Sequence, residues 1–219
     1  LNIADSTLLW FCSDNGGLPK IKPGTVGGLK GFKNSVYEGG LRVPAVIEWP
    51  NGISKPRITN YPACTMDIFP TLAAVAALSK TSATVPLDGL SLKPLFAAEL
   101  PRRDKPIGFR HTNRTAFLDN RYKLINFKVG SDRFELYDLE SDPFESNNII
   151  DQQPQIASRL KSAWAKWNDS IEASIAGQDY PEGKVIPPDP GPATWTELDA
   201  YRPYLSEWKK RPEYRSRIK

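Results

Sequence analysis

An α/β fold is the class that the sequence predicts, and two patterns carry this prediction. An apolar run at residues 7–12 ends in the polar and glycine residues 13–17, which is typical of a buried parallel strand with polar residues at its carboxyl end. Further along, short strand candidates precede one long amphipathic segment, which indicates a small antiparallel sheet with a helix. The 219 residues are enough to bury one core, so we expect a globular protein.

The first 100 residues are predicted to form part of the α/β domain. After the first strand, residues 18–41 form a glycine-rich excursion of a length that is usually functional. A second strand is predicted at 43–49, closed by a Pro-Asn-Gly turn, and a helix from about Thr65 to Leu78 with Pro70 near its first turn. The chain starts at Leu1 with what looks like a helix end feeding a strand, so we expect an upstream part.

Residues 101–178 are predicted to form an α+β subdomain, and residues 179–219 a proline-rich arm. Strand candidates lie at 106–110, 115–118, 122–127 and 134–138, and the spacing predicts a small antiparallel sheet. The helix predicted at 154–175 has an apolar stripe that should pack on that sheet. The arm is rich in aromatic residues, which predicts that it docks on a surface.

Composition and charge argue against several classes of protein. The net charge is +4, partly from the C-terminal tail, and the other basic residues are scattered without a nucleic-acid-binding motif. The apolar stretches are too short to span a bilayer. Cys12 and Cys64 fit no Cys-x-x-Cys pattern, so we expect buried free thiols. Neither a nucleic-acid partner nor a membrane span is therefore expected.

Two short segments carry residues suited to binding an ion or an anion. Asp14 and Asn15 offer a carboxylate and an amide oxygen, the ligands that hard cations prefer, although a turn bonded to its own backbone is the alternative. Calcium takes about six to eight oxygens, so further ligands must come from elsewhere. Lys33 lies in the glycine-rich loop and can donate to sulfate or phosphate, unless it is merely solvated. Glu38 and Arg42, four residues apart, are expected to pair and pin this loop.

Taken together and in this order, the motifs resemble the type I, formylglycine-dependent sulfatases of the alkaline phosphatase superfamily. The resemblance covers roughly residues 3 to 175. The motifs that carry it are residues 13–17 (Ser-Asp-Asn-Gly-Gly), 33–44 (Lys-Asn-Ser-Val-Tyr-Glu-Gly-Gly-Leu-Arg-Val-Pro), 49–52 (Trp-Pro-Asn-Gly), 66–72 (Met-Asp-Ile-Phe-Pro-Thr-Leu), 87–92 (Leu-Asp-Gly-Leu-Ser-Leu), 121–125 (Arg-Tyr-Lys-Leu-Ile) and 135–143 (Glu-Leu-Tyr-Asp-Leu-Glu-Ser-Asp-Pro).

The resemblance implies the C-terminal portion of a sulfatase-type α/β sandwich followed by the small sheet and helix. It implies a hydrolase of sulfated carbohydrate or aryl sulfate esters, with Asp14 and Asn15 as ligands of one Ca²⁺ ion. Lys33 would contact the sulfate and protonate or stabilise the leaving oxygen. His111 and Arg114 lie in the subdomain that borders the active-site mouth of sulfatases, where they could contact the leaving group or sugar hydroxyls. The alternative for His111 is a surface hairpin residue.

One departure from the family pattern bears on activity. The sequence holds no Cys-x-Pro-x-Arg or Ser-x-Pro-x-Arg motif, so formylglycine and the remaining calcium ligands are expected on a missing N-terminal segment, and this polypeptide alone is expected to be inactive. A phosphodiesterase or phosphonate monoester hydrolase of the same superfamily is one alternative. Another is a non-catalytic module that binds calcium and anions. The habits of the family suggest a periplasmic or extracellular location.

Overall fold

The computed structural model describes residues 2–19, 26–79, 86–179, 181, 183, 191 and 193–218. Its strands are β1 (Leu9–Cys12), β2 (Ala45–Glu48), β3 (Ile107–His111), β4 (Arg114–Asp119), β5 (Tyr122–Asn126) and β6 (Phe134–Asp138). Its helices are α1 (Glu38–Leu41), α2 (Ile68–Val75), α3 (Pro154–Ile175), α4 (Arg202–Trp208) and α5 (Pro212–Arg215). Of these helices, none has the length and apolar character needed to cross a bilayer.

Strand β1 differs from the strand that the sequence predicts. It pairs antiparallel with β2, with Leu9 opposite Glu48 and Cys12 opposite Ala45. The side chains of Leu9 and Phe11 are 57% and 62% exposed. The prediction of a buried parallel strand was therefore wrong for this chain. An apolar run indicates that both faces of a strand can be covered, but it does not say which segment covers them, and among the described residues only β2 lies beside β1.

The helix predicted from Thr65 to Leu78 is shorter than the sequence pattern. Residues 65–67 form a single 3₁₀ turn, and α2 continues from it to Val75. Pro70 falls in the first turn of α2, as predicted. Residues of the first turn do not donate a hydrogen bond within the helix, so the missing N–H of proline costs nothing there. Ala77 adopts a left-handed conformation with φ of 53°, which no helix can continue through. The apolar spacing therefore extends beyond the end of the regular helix.

The predicted C-terminal sheet and its helix are confirmed. Strands β3 to β6 form one antiparallel sheet in the order β3-β4-β5-β6. One face of this sheet packs on α3 through a buried cluster made of Phe117, Leu124, Leu136, Ala157 and Leu160. Gly108 of β3 allows the Trp167 ring of α3 to lie close, because a Cβ at this position would be 2.1 Å from a ring atom. The Trp164 indole Nε1 donates to Thr115 Oγ1 at 2.8 Å.

The opposite face of the sheet packs on the glycine-rich loop. Val36 of the loop is buried with three sheet residues, Ala116, Ile125 and Tyr137. These sheet residues alternate with those that face α3, as expected for a strand with both faces covered. The sheet thus lies between α3 and the loop that bears the candidate lysine, so it can fix the position of that loop.

The arm forms a small aromatic cluster of its own. The ring of Trp195 contacts those of Tyr201, Trp208 and Tyr214, with centroid distances from 5.7 to 6.3 Å. Much of the proline-rich stretch, residues 184–190 and 192, lies outside the described residues. Docking of the arm on a surface stays a prediction.

Both cysteines, Cys12 and Cys64, are free and half-buried, so the predicted thiols are less buried than expected.

Candidate active site

An open cavity brings together the three residues predicted to bind calcium and sulfate. Its volume is about 780 Å³, and Asp14, Asn15 and Lys33 all line it. Arg42, which the sequence assigned to a pair with Glu38, lines it as well. The remaining lining residues are apolar or small: Ser13, Gly16, Gly17, Leu18, Val26, Gly27, Leu29, Val43 and Pro44. The described part of the cavity lining therefore combines one carboxylate, one amide and two cations.

Backbone hydrogen bonds hold the Asp14–Asn15 turn against the glycine-rich loop. The Gly16 N–H donates to the Gly40 carbonyl at 2.9 Å, and the Lys33 N–H donates to the Gly17 carbonyl at 3.0 Å. A Cβ on Gly16 would lie 1.8 Å from the carbonyl oxygen of Gly39, so only glycine permits this approach. The two segments, which are distant in sequence, therefore face one cavity with a fixed spacing.

The donor set at the turn fits a hard cation. Asn15 Oδ1 is buried and has no hydrogen-bond partner among the described residues, although buried polar atoms are rarely left unpaired. The neighbouring Asp14 is exposed toward the cavity that both residues line. Carboxylate and amide oxygens are the ligands that calcium prefers, and no described donor uses Asn15 Oδ1. Within the described ranges, no three acidic, histidine or cysteine side chains gather in one place, so the pair supplies only part of a metal shell.

A buried triad that sequence reasoning missed anchors the loop to the sheet. The Lys123 ammonium of β5 lies 2.8 Å from Glu38 Oε1 and 2.9 Å from Glu145 Oε1. Glu145 also accepts from the Glu38 N–H at 2.6 Å, and burial raises the pKa of its carboxyl. The expected Glu38–Arg42 pair was wrong, because Glu38 turns inward, where the buried ammonium needs a countercharge. No short-range pattern could have identified Lys123 as the partner, since it is 85 residues away in sequence.

A second set of polar contacts joins the same loop to β6. Tyr37 and Tyr137 both donate to Glu135 Oε2, at 2.8 and 2.7 Å. The Lys30 ammonium donates to the Tyr137 hydroxyl at 3.2 Å and lies 4.1 Å from the centre of the Tyr37 ring. Burial and the Glu135 carboxylate raise the pKa of Tyr37 to about 12. The loop that carries Lys33 is therefore fixed on both sides of that residue.

The remaining two predicted residues lie elsewhere. His111 ends β3 and Arg114 begins β4, and both are exposed at the hairpin between these strands. Neither lines the cavity that contains Asp14, Asn15 and Lys33. A role for these two side chains in binding the sugar stays a prediction.

Comparison with known proteins gives a consistent picture. Residues 30–170 match the family described as N-sulphoglucosamine sulphohydrolase, C-terminal. The chain is similar to the N-acetylgalactosamine-6-O-sulfatase of Bacteroides thetaiotaomicron, with 29% identity over 73% of this chain and 36% of the relative. It is 31% identical to human (Homo sapiens) arylsulfatase A over 68% of this chain and 34% of the relative.

Solved structures agree with this result. The crystal structure of Ps i-CgsB in complex with k-i-k-neocarrahexaose matches with a TM-score of 0.64 and 31% identity, over 76% of this chain and 37% of that protein. The chain spans about a third of the length of the first curated relatives that it matches. Since the family match covers more than half of the chain, this chain belongs to the sulfatase family, in which it corresponds to the C-terminal region.

Proposed function

We propose that this chain supplies calcium and sulfate contacts to a sulfuric ester hydrolase that acts on sulfated carbohydrate or aryl sulfate esters. The observation that carries the proposal is that Asp14, Asn15 and Lys33 line one cavity, with Asn15 Oδ1 buried and without a partner among the described residues. The relatives support this substrate class, since one is named for a sulfated amino sugar and a related structure holds a carrageenan hexaose.

Each residue has a distinct task in this proposal. Asp14 and Asn15 Oδ1 would hold a Ca²⁺ ion, which would supply positive charge to offset that of the sulfate. Lys33 donates hydrogen bonds to a sulfate oxygen and gives a proton to the leaving oxygen as the sulfur–oxygen bond breaks. The Lys33 backbone N–H donates to the Gly17 carbonyl, so the backbone that carries the Lys33 side chain is held at the cavity wall. His111 and Arg114 are proposed to contact the sugar.

The proposal also requires groups that are not among these residues. The sequence has no formylglycine motif, and Asp14 and Asn15 are the two calcium ligands proposed within it. The hydrated aldehyde nucleophile and the remaining ligands are therefore assigned to a sulfatase segment outside residues 1–219. The 219 residues by themselves are expected to give no turnover. A periplasmic or extracellular location is proposed because members of the sulfatase family are commonly exported.

Substitution of Lys33 tests the proposal in the natural polypeptide that contains these residues. Lys33→Ala should lower kcat for an aryl sulfate by about 10²–10⁴-fold, the usual contribution of a general acid, and leave the Kd for Ca²⁺ unchanged. Asn15→Ala should instead raise the Kd for Ca²⁺, measured by calorimetry. Lys128→Ala is the matched control, because Lys128 is exposed and lies outside the cavity.

Three outcomes would count against the proposal. Activity of Lys33→Ala equal to that of the control would remove Lys33 from the reaction. Faster hydrolysis of bis(4-nitrophenyl) phosphate than of the aryl sulfate by the unmodified protein would favour the phosphodiesterase or phosphonate hydrolase alternative. Calcium binding without hydrolysis of either compound would favour the non-catalytic module.

A further inference from the structure

Arg42 is a cation in the candidate site to which nothing above assigns a task. It is exposed, lines the same cavity as Asp14 and Lys33, and makes no ion pair with any residue that the structure describes. Among the described residues of that lining, Asp14, Lys33 and Arg42 are the ionisable ones. If Asp14 binds calcium and Lys33 contacts the reacting sulfate, Arg42 is the one cation of the described lining that has no task.

The buried triad explains why Arg42 is available. Glu38 lies four residues before Arg42, a spacing at which a helical pair would normally form. The Glu38 side chain is only 10% exposed, and its carboxylate accepts from the Lys123 ammonium at 2.8 Å, outside the cavity lining. Glu38, the acidic residue at the helical spacing from Arg42, therefore pairs with Lys123 and not with Arg42.

The backbone of Arg42 is held in place although its side chain is exposed. The Arg42 N–H donates to the Glu38 carbonyl at 2.7 Å, where α1 ends. Two residues earlier, the Gly40 carbonyl accepts from the Gly16 N–H beside Asn15. The point from which the guanidinium extends is thus fixed relative to the calcium ligands, which lowers the entropy cost of binding an anion there.

The size of the cavity indicates what Arg42 would bind. A volume of about 780 Å³ lies within the usual range for small-molecule sites, so the described lining can face more than a single sulfate group. A guanidinium offers a planar fork of N–H donors that matches the oxygens of sulfate and carboxylate groups. We propose that Arg42 binds a second anionic substituent of the sugar, so that the enzyme selects multiply anionic carbohydrate substrates. This inference rests on the proposed function.

Binding selectivity tests the inference in the calcium-loaded natural polypeptide. The probes are monosulfated and disulfated forms of glucosamine and galactosamine, and a monosulfated disaccharide that carries a uronate. The unmodified protein should bind the doubly anionic probes more tightly, and Arg42→Gln should reduce that preference by about 10-fold or more, the effect of losing one charged hydrogen bond. The disulfated and uronate probes distinguish a sulfate from a carboxylate as the second group.

Two further variants serve as controls, and the outcomes are separable. Arg42→Lys should retain part of the preference, and Arg57→Gln should retain all of it, since Arg57 is exposed and outside the cavity. No preference in the unmodified protein, or an equal loss for both kinds of probe in Arg42→Gln, would overturn the inference. The readout is a ratio of Kd values, so it tests the role of Arg42 even if no probe is hydrolysed. Absence of hydrolysis would count against the proposed function and not against the role of Arg42 in binding.

Discussion

Lys123 is an ammonium group that is almost entirely removed from water. Its side chain is 1% exposed, and two carboxylates, Glu38 and Glu145, lie within 2.9 Å of its Nζ. Removing charges from water costs several kcal/mol for each ion, and close opposite charges offset that cost only when all of them are present. With two acids and one base, the triad depends on its single cation to hold the loop on the sheet.

Lys123→Met should therefore be strongly destabilising. The substitution keeps the volume of the side chain but leaves two buried carboxylates facing each other, and breaking a buried pair costs about 3–5 kcal/mol. Urea unfolding of the full chain measures this loss. Lys210→Met is the matched control, because the Lys210–Glu207 pair is about 70% exposed on both sides and should contribute about 0–1 kcal/mol. Equal losses for both variants would contradict a stabilising role for the triad.

The candidate site residues differ in how far the sequence could reveal them. Asp14, Asn15 and Lys33 could be predicted because each stands in a short motif whose residue types suit its chemistry. Lys123 and Glu145 could not, since they are 85 and 107 residues from Glu38 and meet it only after the sheet has formed. For the same reason, the local spacing favoured Arg42 as the partner of Glu38, although the fold provides a buried one.

At the scale of elements, the glycine-rich loop and β6 are joined by the Glu135 carboxylate, which accepts hydrogen bonds from two protonated tyrosine hydroxyls. Tyr37 and Tyr137 both donate to Glu135, and burial raises the pKa of both hydroxyls, that of Tyr37 to about 12. A folded-state pKa above the unfolded value of 10.0 means that the folded chain binds more protons above that pH. This contribution to stability is complete below pH 10 and falls as pH rises through 12.

The expected result is a fall in the free energy of unfolding above about pH 10. Tyr37→Phe should reduce the slope of that fall, because one of the two phenols that resist ionisation is gone. Absorbance at 295 nm during an alkaline titration should show that some of the eight tyrosines ionise only when the chain unfolds. Tyr204→Phe, at an exposed position in the arm, is the control. An unchanged slope in Tyr37→Phe would contradict the assignment.

The elements themselves were predictable where the local pattern and the tertiary partner agree. Helix α3 ends where the pattern predicts, because its apolar stripe is the face that packs on the sheet. The four strands of the sheet alternate between two covered faces, and their turns carry residues such as Asn120 with a positive φ. Strand β1 was the exception, because its apolar run does not specify the neighbouring strand.

At the scale of the whole molecule, a second buried ion pair, besides that of Lys123 with Glu38, joins the first part of the chain to the C-terminal sheet. Asp67 and Arg103 are 0% and 1% exposed and form two parallel hydrogen bonds of 2.8 Å. Asp67 also accepts from the Leu90 N–H at 2.7 Å. The backbone of Arg103 is bonded in turn to Asn120, which lies in the turn between β4 and β5. The pair therefore connects α2, the segment around residue 90 and the sheet.

Asp67→Asn should weaken all three connections at once. An amide cannot balance the buried guanidinium or accept on both sides as a carboxylate does, so the loss should be about 3–5 kcal/mol. Urea unfolding followed by tryptophan fluorescence measures the free energy of unfolding and its denaturant dependence. Asp88→Asn is the control, because Asp88 is 67% exposed and lies 3.5 Å from Lys105, a pair that should contribute about 0–1 kcal/mol.

If Asp67→Asn unfolds in one transition at lower urea, the Asp67–Arg103 pair stabilises a single cooperative unit. Separate transitions would mean that the pair couples two units that can also unfold independently, and a midpoint equal to that of Asp88→Asn would contradict any such role.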